Sequence, residues 1–239
     1  VKGTFFLQSP LLNRLGWLIH AFGARGFDTD QRGLVPESVR FSAVPLQKIA
    51  ILNQVHGTKI HNVDRKMLHE FPPRDGDGLI CSGGEVGGGI FTADCLPVIV
   101  ASTRVAAFAL LHGGWRGVAG GIIEEGVSRL LASTRGRGGE LFGAVGPGAT
   151  GCCYEVGEDV AASFRDCYPW CLKEGKEGRS HLDLKGVVKE KLLQSGLLPD
   201  NIDVMEECTI CDRRFHSFRV DGKSKWRQFS LGYSVGEEE

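Results

Sequence analysis

The order of apolar runs predicts an α+β fold held in a single domain, residues 1–239. Three observations lead to it. Short strand-like runs follow one another directly in several places, so strands and helices do not alternate as they do in a doubly wound sheet. Helical spacing of apolar residues is confined to a few segments between those runs. No repeat and no linker divides the chain, and 239 residues bury a substantial core in one unit.

Residues 16–22, Gly-Trp-Leu-Ile-His-Ala-Phe, read as a strand entering the loop Gly23-Ala24-Arg25-Gly26. Residues 26–47 are polar and aperiodic, which predicts a long functional or mobile loop. Residues 48–55 predict a buried strand ending at His56, and Gly76-Asp77-Gly78 turns the chain into Leu79-Ile80-Cys81. Residues 82–89 are glycine-rich. Two apolar segments in 90–102 are broken by Asp94-Cys95 and Pro97. Proline donates nothing to a ladder, so it marks an edge, a bulge or a strand start.

Residues 105–111 form another buried run with His112 at its end, and Val118, Ile122, Ile123, Val127, Leu130 and Leu131 recur at helical spacing over 117–133. Residues 141–145 predict a strand into the turn Gly146-Pro147-Gly148. Helices are expected at 156–168 and 184–197, around a solvated loop at 173–180, and strands at 202–206 and 215–220 close the chain. Glu237-Glu238-Glu239 reads as a solvated end.

Hydrophobic residues at 42% and charged residues at 24% describe an ordinary globular chain. A net charge of -1 provides no general field for nucleic acid or an anionic membrane, so any bound anion must be gripped locally. No apolar run approaches the roughly 20 residues of a membrane helix, and Val1-Lys2-Gly3-Thr4 has no basic-then-apolar signal pattern. The expected location is cytoplasmic. In a reducing compartment the eight cysteines are buried thiols or metal ligands rather than disulfides.

Three polar islands beside apolar runs carry the chemistry: Gln54-Val55-His56-Gly57, Thr92-Ala93-Asp94-Cys95-Leu96-Pro97 and His112-Gly113-Gly114-Trp115-Arg116-Gly117. A histidine after a strand is commonly structural, and a free cysteine is commonly a small buried hydrophobe. Taken together, His56, Cys95 and His112 offer a borderline-soft donor set. One thiolate and two imidazoles suit zinc, and three protein ligands leave a fourth tetrahedral position open. The third island also reads as an anion seat, with glycine amides, a helix N-terminus and the Arg116 guanidinium, or as a glycine turn bearing a surface arginine. It lacks the terminal Gly-Lys-Ser/Thr of a Walker A loop.

These islands, with Gly146-Pro147, Cys152-Cys153-Tyr154-Glu155-Val156-Gly157 and Phe215-His216-Ser217-Phe218-Arg219, resemble the laccase-domain family, formerly called multicopper polyphenol oxidases. The matching motifs run in family order from His20 to Arg227. The resemblance implies a YfiH-like four-layer α/β/β/α sandwich. It also implies phosphorolysis of adenosine, inosine and methylthioadenosine to free base and ribose 1-phosphate, with adenosine deamination as a companion activity. It carries the zinc ligands onto His56, Cys95 and His112, and makes purine nucleoside and phosphate the partners.

In deamination, zinc would acidify a water for attack on purine C6. Asp94 is the nearest carboxylate in sequence, either as proton shuttle or as an orienter of the neighbouring ligand. Arg25, Arg116 and Arg219 are the candidates to hold phosphate. Gly113 stands where the family usually has alanine, which predicts a looser turn. Ser224-Lys225-Trp226-Arg227 replaces the family's Thr-Gly-Arg, leaving Arg227 as a further candidate, and Gly23 and Ala24 replace hydroxyl residues ahead of Arg25.

Other readings stay open. Copper is an alternative metal, but His20, His61, His69, His181 and His216 show no His-x-His pairing. A metal-free hydrolase would use Cys95 as nucleophile and His112 as base. A zinc-stabilised interaction module is the non-enzymatic reading. Cys208-Thr209-Ile210-Cys211 has zinc-ligand spacing, with Cys167 and Cys171 as conceivable partners, although Cys167 on its helix fits a core position better. Adjacent Cys152 and Cys153 could bridge each other only with strain.

Overall fold

The computed structural model describes residues 6–26, 28–30, 44–64, 66–70, 72–222 and 225–235. The chain begins with β1 (Phe6–Leu7), β2 (Leu18–Gly23), β3 (Asp28–Asp30), β4 (Ile49–Ala50), β5 (Ile60–Asn62), β6 (Gly78–Ser82), β7 (Val86–Thr92), β8 (Leu96–Ser102) and β9 (Ala107–Gly113). Helices α1 (Trp115–Ala119) and α2 (Ile122–Thr134) lead to β10 (Leu141–Val145) and β11 (Glu155–Val156). Then come α3 (Glu158–Arg165), β12 (Leu172–Glu174), β13 (Ser180–Leu182), α4 (Leu184–Gln194), β14 (Ile202–Val204), α5 (Phe218–Asp221) and β15 (Trp226–Ser234).

Two six-stranded sheets form the body. One runs β1-β2-β15-β7-β4, with β3 also on β15, and the other β14-β10-β8-β9-β6-β5, while β11, β13 and β12 make a small third sheet. Alternation along the strands sets the layers, because successive side chains point to opposite faces. Leu96, Val98 and Val100 of β8 and Ala109 and Leu111 of β9 pack with Ile122, Val127 and Leu130 of α2 and Val188 and Leu192 of α4. Ile99, Phe108 and Leu110 face the other way and fill the space between the two large sheets with Phe22 and Ile90. Ala21, Ile49, Phe229, Leu231 and Tyr233 form a further cluster on the far face of the first sheet. Mixed sheets with few helices are the α+β architecture expected from the sequence.

Several elements depart from expectation. The glycine-rich run contributes to β7, which pairs with β15 from Gln228↔Thr92 to Ser234↔Val86, and β15 itself was not expected. Glycine is required at their shared inner face: a Cβ at Gly88 would stand 2.7 Å from Leu79, and one at Gly232 would stand 2.6 Å from Phe108. Of residues 48–55 only Ile49–Ala50 is strand. Beyond it the Gln54 side chain takes the place of a ladder partner, donating to the Phe91 carbonyl at 2.8 Å and accepting from the Phe91 amide at 2.7 Å.

Residues 215–220 are not a strand. The Ser217 hydroxyl accepts from the Val220 amide at 3.2 Å and caps the single turn of α5. Both expected helices end early, α3 at Arg165 and α4 at Gln194, while β12 and β13 border the loop placed at 173–180. Cys167 is exposed just past α3 rather than in the core. Gly113 is the last residue of β9, not part of a loose turn, and a Cβ there would stand 2.9 Å from the Leu96 carbonyl oxygen. The loop expected at 26–47 falls largely outside the described residues, as does the Glu237-Glu238-Glu239 tail.

His20 of β2 is fully buried, and its Nε2 accepts from the Ser9 amide at 2.9 Å. Burial is the main cause that lowers its pKa to about 4, with Asp203 opposing. The folded state therefore prefers neutral imidazole. Its contribution to stability is full above the unfolded pKa of about 6.5 and is lost as pH falls toward 4. Denaturant titrations of wild type and His20→Gln are expected to diverge at pH 7 and converge by about 3 kcal/mol near pH 4.

Candidate metal centre

The three islands meet at one end of the second sheet because its register brings them there. Pro97 pairs with His112 and Leu96 with Gly113, so the start of β8 lies against the end of β9 and sets Cys95 beside His112. The start of β6 lies there too, since Gly78 pairs with Leu111. His56 arrives in the connection before β5. The donor atoms of His56, Cys95 and His112 all lie within 4.8 Å of one another. The two imidazoles meet edge to face with ring centroids 4.8 Å apart.

Asp77 organises this end, although in the sequence it stands only between two glycines of a turn. It is fully buried. Its Oδ1 accepts from His112 Nδ1 at 2.8 Å and from the His56 amide at 2.9 Å, and its Oδ2 accepts from the Gly57 amide at 2.7 Å. The backbone amides thus wrap a carboxylate, which compensates the left-handed conformation of His56 at φ 59. The bond to Nδ1 also fixes the tautomer of His112 and leaves Nε2 free to ligate, an arrangement that recurs behind metal-bound imidazoles.

The charges reinforce the grouping. Burial on its own would raise the carboxyl of Asp77, but His112 and the Gly57 and His56 amides hold it below the usual range. Burial would likewise raise the Cys95 thiol, and the two imidazoles beside it bring it down instead. His112 moves the opposite way: burial disfavours its cation, while Cys95 and Asp77 more than offset that. A thiol biased to thiolate is ready to bind a soft or borderline cation, and His112, held at Nδ1 by Asp77, binds once its Nε2 proton is displaced.

The backbone also leaves room. A Cβ at Gly114 would stand 3.1 Å from the His56 ring and 3.3 Å from Cys95 Sγ, so glycine keeps the space against the donors clear. His56 is exposed and Cys95 half-buried, whereas His112 is buried. The trio therefore opens to solvent on one side. The donor set and its geometry fit a metal with one accessible position.

Asp94 does not join the donors. Its Oδ1 accepts from the Thr209 hydroxyl at 2.7 Å and its Oδ2 from the Arg219 amide at 2.9 Å, so it ties the island to the segment entering α5. Arg25 is also engaged structurally: its guanidinium pairs with Asp221 at 2.6 Å and donates to the Phe215 carbonyl at 2.9 Å. Arg116 is exposed and stacks on Trp115, 4.4 Å from the ring centroid. Arg219 donates to the Glu155 carbonyl at 2.8 Å and lies over Tyr154 at 5.1 Å.

Burial pushes the Tyr154 phenol up to about 12, with Cys95 adding to the shift and Arg219 opposing it. Arg227, on β15, is half-buried and within Coulombic reach of both Cys95 and Asp94. Arg227 is thus the arginine within Coulombic reach of Cys95, while Arg219 is tied by its amide to Asp94 and Arg25 braces the segment that carries Arg219.

Residues 30–233 match the family described as multi-copper polyphenol oxidoreductase laccase. A purine nucleoside phosphorylase of Deinococcus radiodurans is 34% identical over 184 residues, 76% of this chain and 68% of that protein. One of Aquifex aeolicus is 33% identical over 184 residues, 77% and 82% of the respective chains. The crystal structure of YlmD from Geobacillus stearothermophilus superposes with a TM-score of 0.87 at 25% identity over 98% of both chains. Bacillus licheniformis YfiH shares the fold with a TM-score of 0.84 at 21% identity over 98% of this chain and 97% of that one. With a matched span that includes every one of these metal-ligand candidates, the chain belongs to the multi-copper polyphenol oxidoreductase laccase family.

Proposed function

We propose that this chain is a zinc-dependent purine nucleoside phosphorylase. It cleaves adenosine, inosine and methylthioadenosine with phosphate, and deaminates adenosine as a companion reaction. The observation that carries this reading is the convergence of His56, Cys95 and His112, with Arg227 within Coulombic reach of Cys95, in a chain whose relatives bear the name purine nucleoside phosphorylase.

In phosphorolysis a phosphate oxygen bonds to ribose C1′ while the C1′–N9 bond breaks, and the departing electron pair and a proton go to the base. His56, Cys95 and His112 would hold the zinc, which would supply Lewis acidity and acidify a water. Asp77 holds the His112 tautomer. Arg227, helped by Arg219, places the phosphate and offsets its charge as it attacks. Asp94 and Arg25 act at one remove by fixing the backbone on which Arg219 is carried.

Arg227→Ala is expected to raise the KM for phosphate about 10- to 100-fold, the loss of a charge-assisted hydrogen bond, with a smaller change in the KM for inosine. Equal effects on both KM values would place Arg227 elsewhere in the site. The decisive assay is hypoxanthine release from inosine with and without phosphate, on protein of measured metal content. Phosphate-dependent release with zinc in the centre supports the proposal, and release that ignores phosphate overturns it.

Copper at the same donors is the competing reading, favoured by the family's description. Among the described residues only two histidines converge with a cysteine, whereas multicopper sites are rich in imidazole. Zinc as the sole metal together with phosphorolysis decides against the oxidase. Activity that survives a chelator but not a thiol alkylator would instead favour a cysteine hydrolase.

A further inference from the structure

The loop after β10 and the segment before α5 meet through four sulfur atoms that the proposed reaction does not use. Cys152 and Cys153 come from the first and Cys208 and Cys211 from the second, and all four Sγ atoms lie within 4.8 Å of one another. Cys152 Sγ is 3.5 Å from those of Cys153 and Cys211, and the latter two are 2.7 Å apart. Cys167 and Cys171, the partners that sequence spacing offered, are not in the group.

Backbone contacts hold the two segments together independently of the sulfurs. Gly148 and Cys208 form a parallel bridge, and the Thr209 amide donates to the Gly148 carbonyl at 3.1 Å. Each turn is closed internally, by Cys153 N to Thr150 O at 3.0 Å and by Asp212 N to Cys208 O at 2.9 Å. Buried Lys185 donates to the Glu207 carbonyl at 2.9 Å and lies within Coulombic reach of Cys208 and Cys152. A cation there offsets the negative charge of a thiolate cluster.

We propose that Cys152, Cys153, Cys208 and Cys211 form a second metal site, a tetrathiolate seat for zinc that staples the two segments together. Each thiol that binds releases its proton to solvent, and no electron is transferred. Zinc–sulfur bonds of about 2.3 Å in a tetrahedron put sulfur atoms about 3.8 Å apart. The separations of 3.5 and 2.7 Å fall short of that value, and closure requires Cys153 and Cys211 to part by about 1 Å. The Cys208-x-x-Cys211 spacing is that of a structural zinc turn. A Cys153–Cys211 disulfide would use two sulfurs and leave the convergence of Cys152 and buried Cys208 without a purpose.

Four protein ligands close the coordination sphere, so this site organises rather than catalyses. Both stapled segments adjoin the island that carries Cys95: Tyr154 lies within Coulombic reach of Cys95, and the Thr209 hydroxyl and Arg219 amide both donate to Asp94. The Arg219 guanidinium already bonds across the two, to the Glu155 carbonyl.

Metal analysis of the purified protein, reloaded with zinc under reducing conditions, is expected to give two zinc ions per chain. Cys208→Ser/Cys211→Ser should retain one, and Cys95→Ser should also retain one. Cobalt(II) loaded in place of zinc should show a strong thiolate-to-cobalt charge-transfer band that survives in Cys95→Ser and is largely lost in the double variant. Cys152→Ser, at an exposed position, offers a milder change that should weaken the second ion without unfolding the protein. One zinc per wild-type chain, lost in Cys95→Ser and unaffected by the double variant, would overturn the second site. So would a wild-type chain two hydrogens lighter, with Cys153 linked to Cys211. A chain that keeps its zinc in Cys95→Ser and loses all of it in the double variant supports the second site while removing the first.

Discussion

Asp77→Asn is expected to lower zinc affinity at the His56, Cys95 and His112 centre, and nucleoside turnover with it, about 10- to 100-fold. Asp77 is not one of the three converging donors. It acts through His112, whose Nδ1 it accepts from, and through the connection that carries His56, whose amide it also accepts from. An amide group is the same size as a carboxylate but presents a donor to the ring of amides around it. With the amide nitrogen in place of Oδ2, the contacts from the Val55 and Gly57 amides are both lost, with a stability cost of about 1–3 kcal/mol.

The two effects can be separated. Measured at a zinc concentration that saturates the variant, turnover should recover in part if Asp77 mainly raises affinity. A residual drop in kcat with the centre full would show that the orientation of His112 matters to the reaction itself. Unchanged zinc affinity in a folded Asp77→Asn chain would remove Asp77 from the centre.

Cys95→Ser and His112→Ala are expected to abolish zinc binding at the first centre and to cut phosphorolysis by about three orders of magnitude, the equivalent of about 4 kcal/mol of lost transition-state stabilisation. Cys95 lies between two imidazoles at the start of β8, and no other sulfur belongs to its donor group. Serine preserves the shape but substitutes a neutral hydroxyl for the thiolate. His112→Ala additionally leaves the Asp77 carboxylate buried without its histidine donor, so its stability should fall further than that of Cys95→Ser. Inosine turnover and zinc content must be read on the same folded samples. Wild-type release of hypoxanthine by these variants and by His56→Ala would end the case for a catalytic metal.

Periodicity disclosed most of the strands that bury both faces, because continuous apolar runs such as 105–111 have few other readings. It was weaker where glycine replaces a side chain. In β7 the glycines are what allow the sheets to approach, so the residues that make the strand possible also conceal it. Strand β15 carried a usable signal, Phe229, Leu231 and Tyr233 alternating with Ser230 and Gly232, but it follows the polar stretch at 222–227. At 215–220 the aromatic residues suggested a strand, and the serine cap of α5 prevailed.

The sequence by itself determined the donor chemistry: His56, Cys95 and His112 stand out because each ends or interrupts an apolar run and carries a side chain that binds metal. It also implies that any anion the chain binds is gripped locally, since the chain has almost no net charge. Only the tertiary structure decided which groups share space. It placed Asp77 behind His112, set Arg227 within Coulombic reach of Cys95, committed Arg25 to Asp221, and matched Cys208 and Cys211 with Cys152 and Cys153 instead of Cys167 and Cys171. The physical reason is that alternation fixes the face on which a side chain lies, while its neighbours depend on strand order and register between segments far apart in the chain.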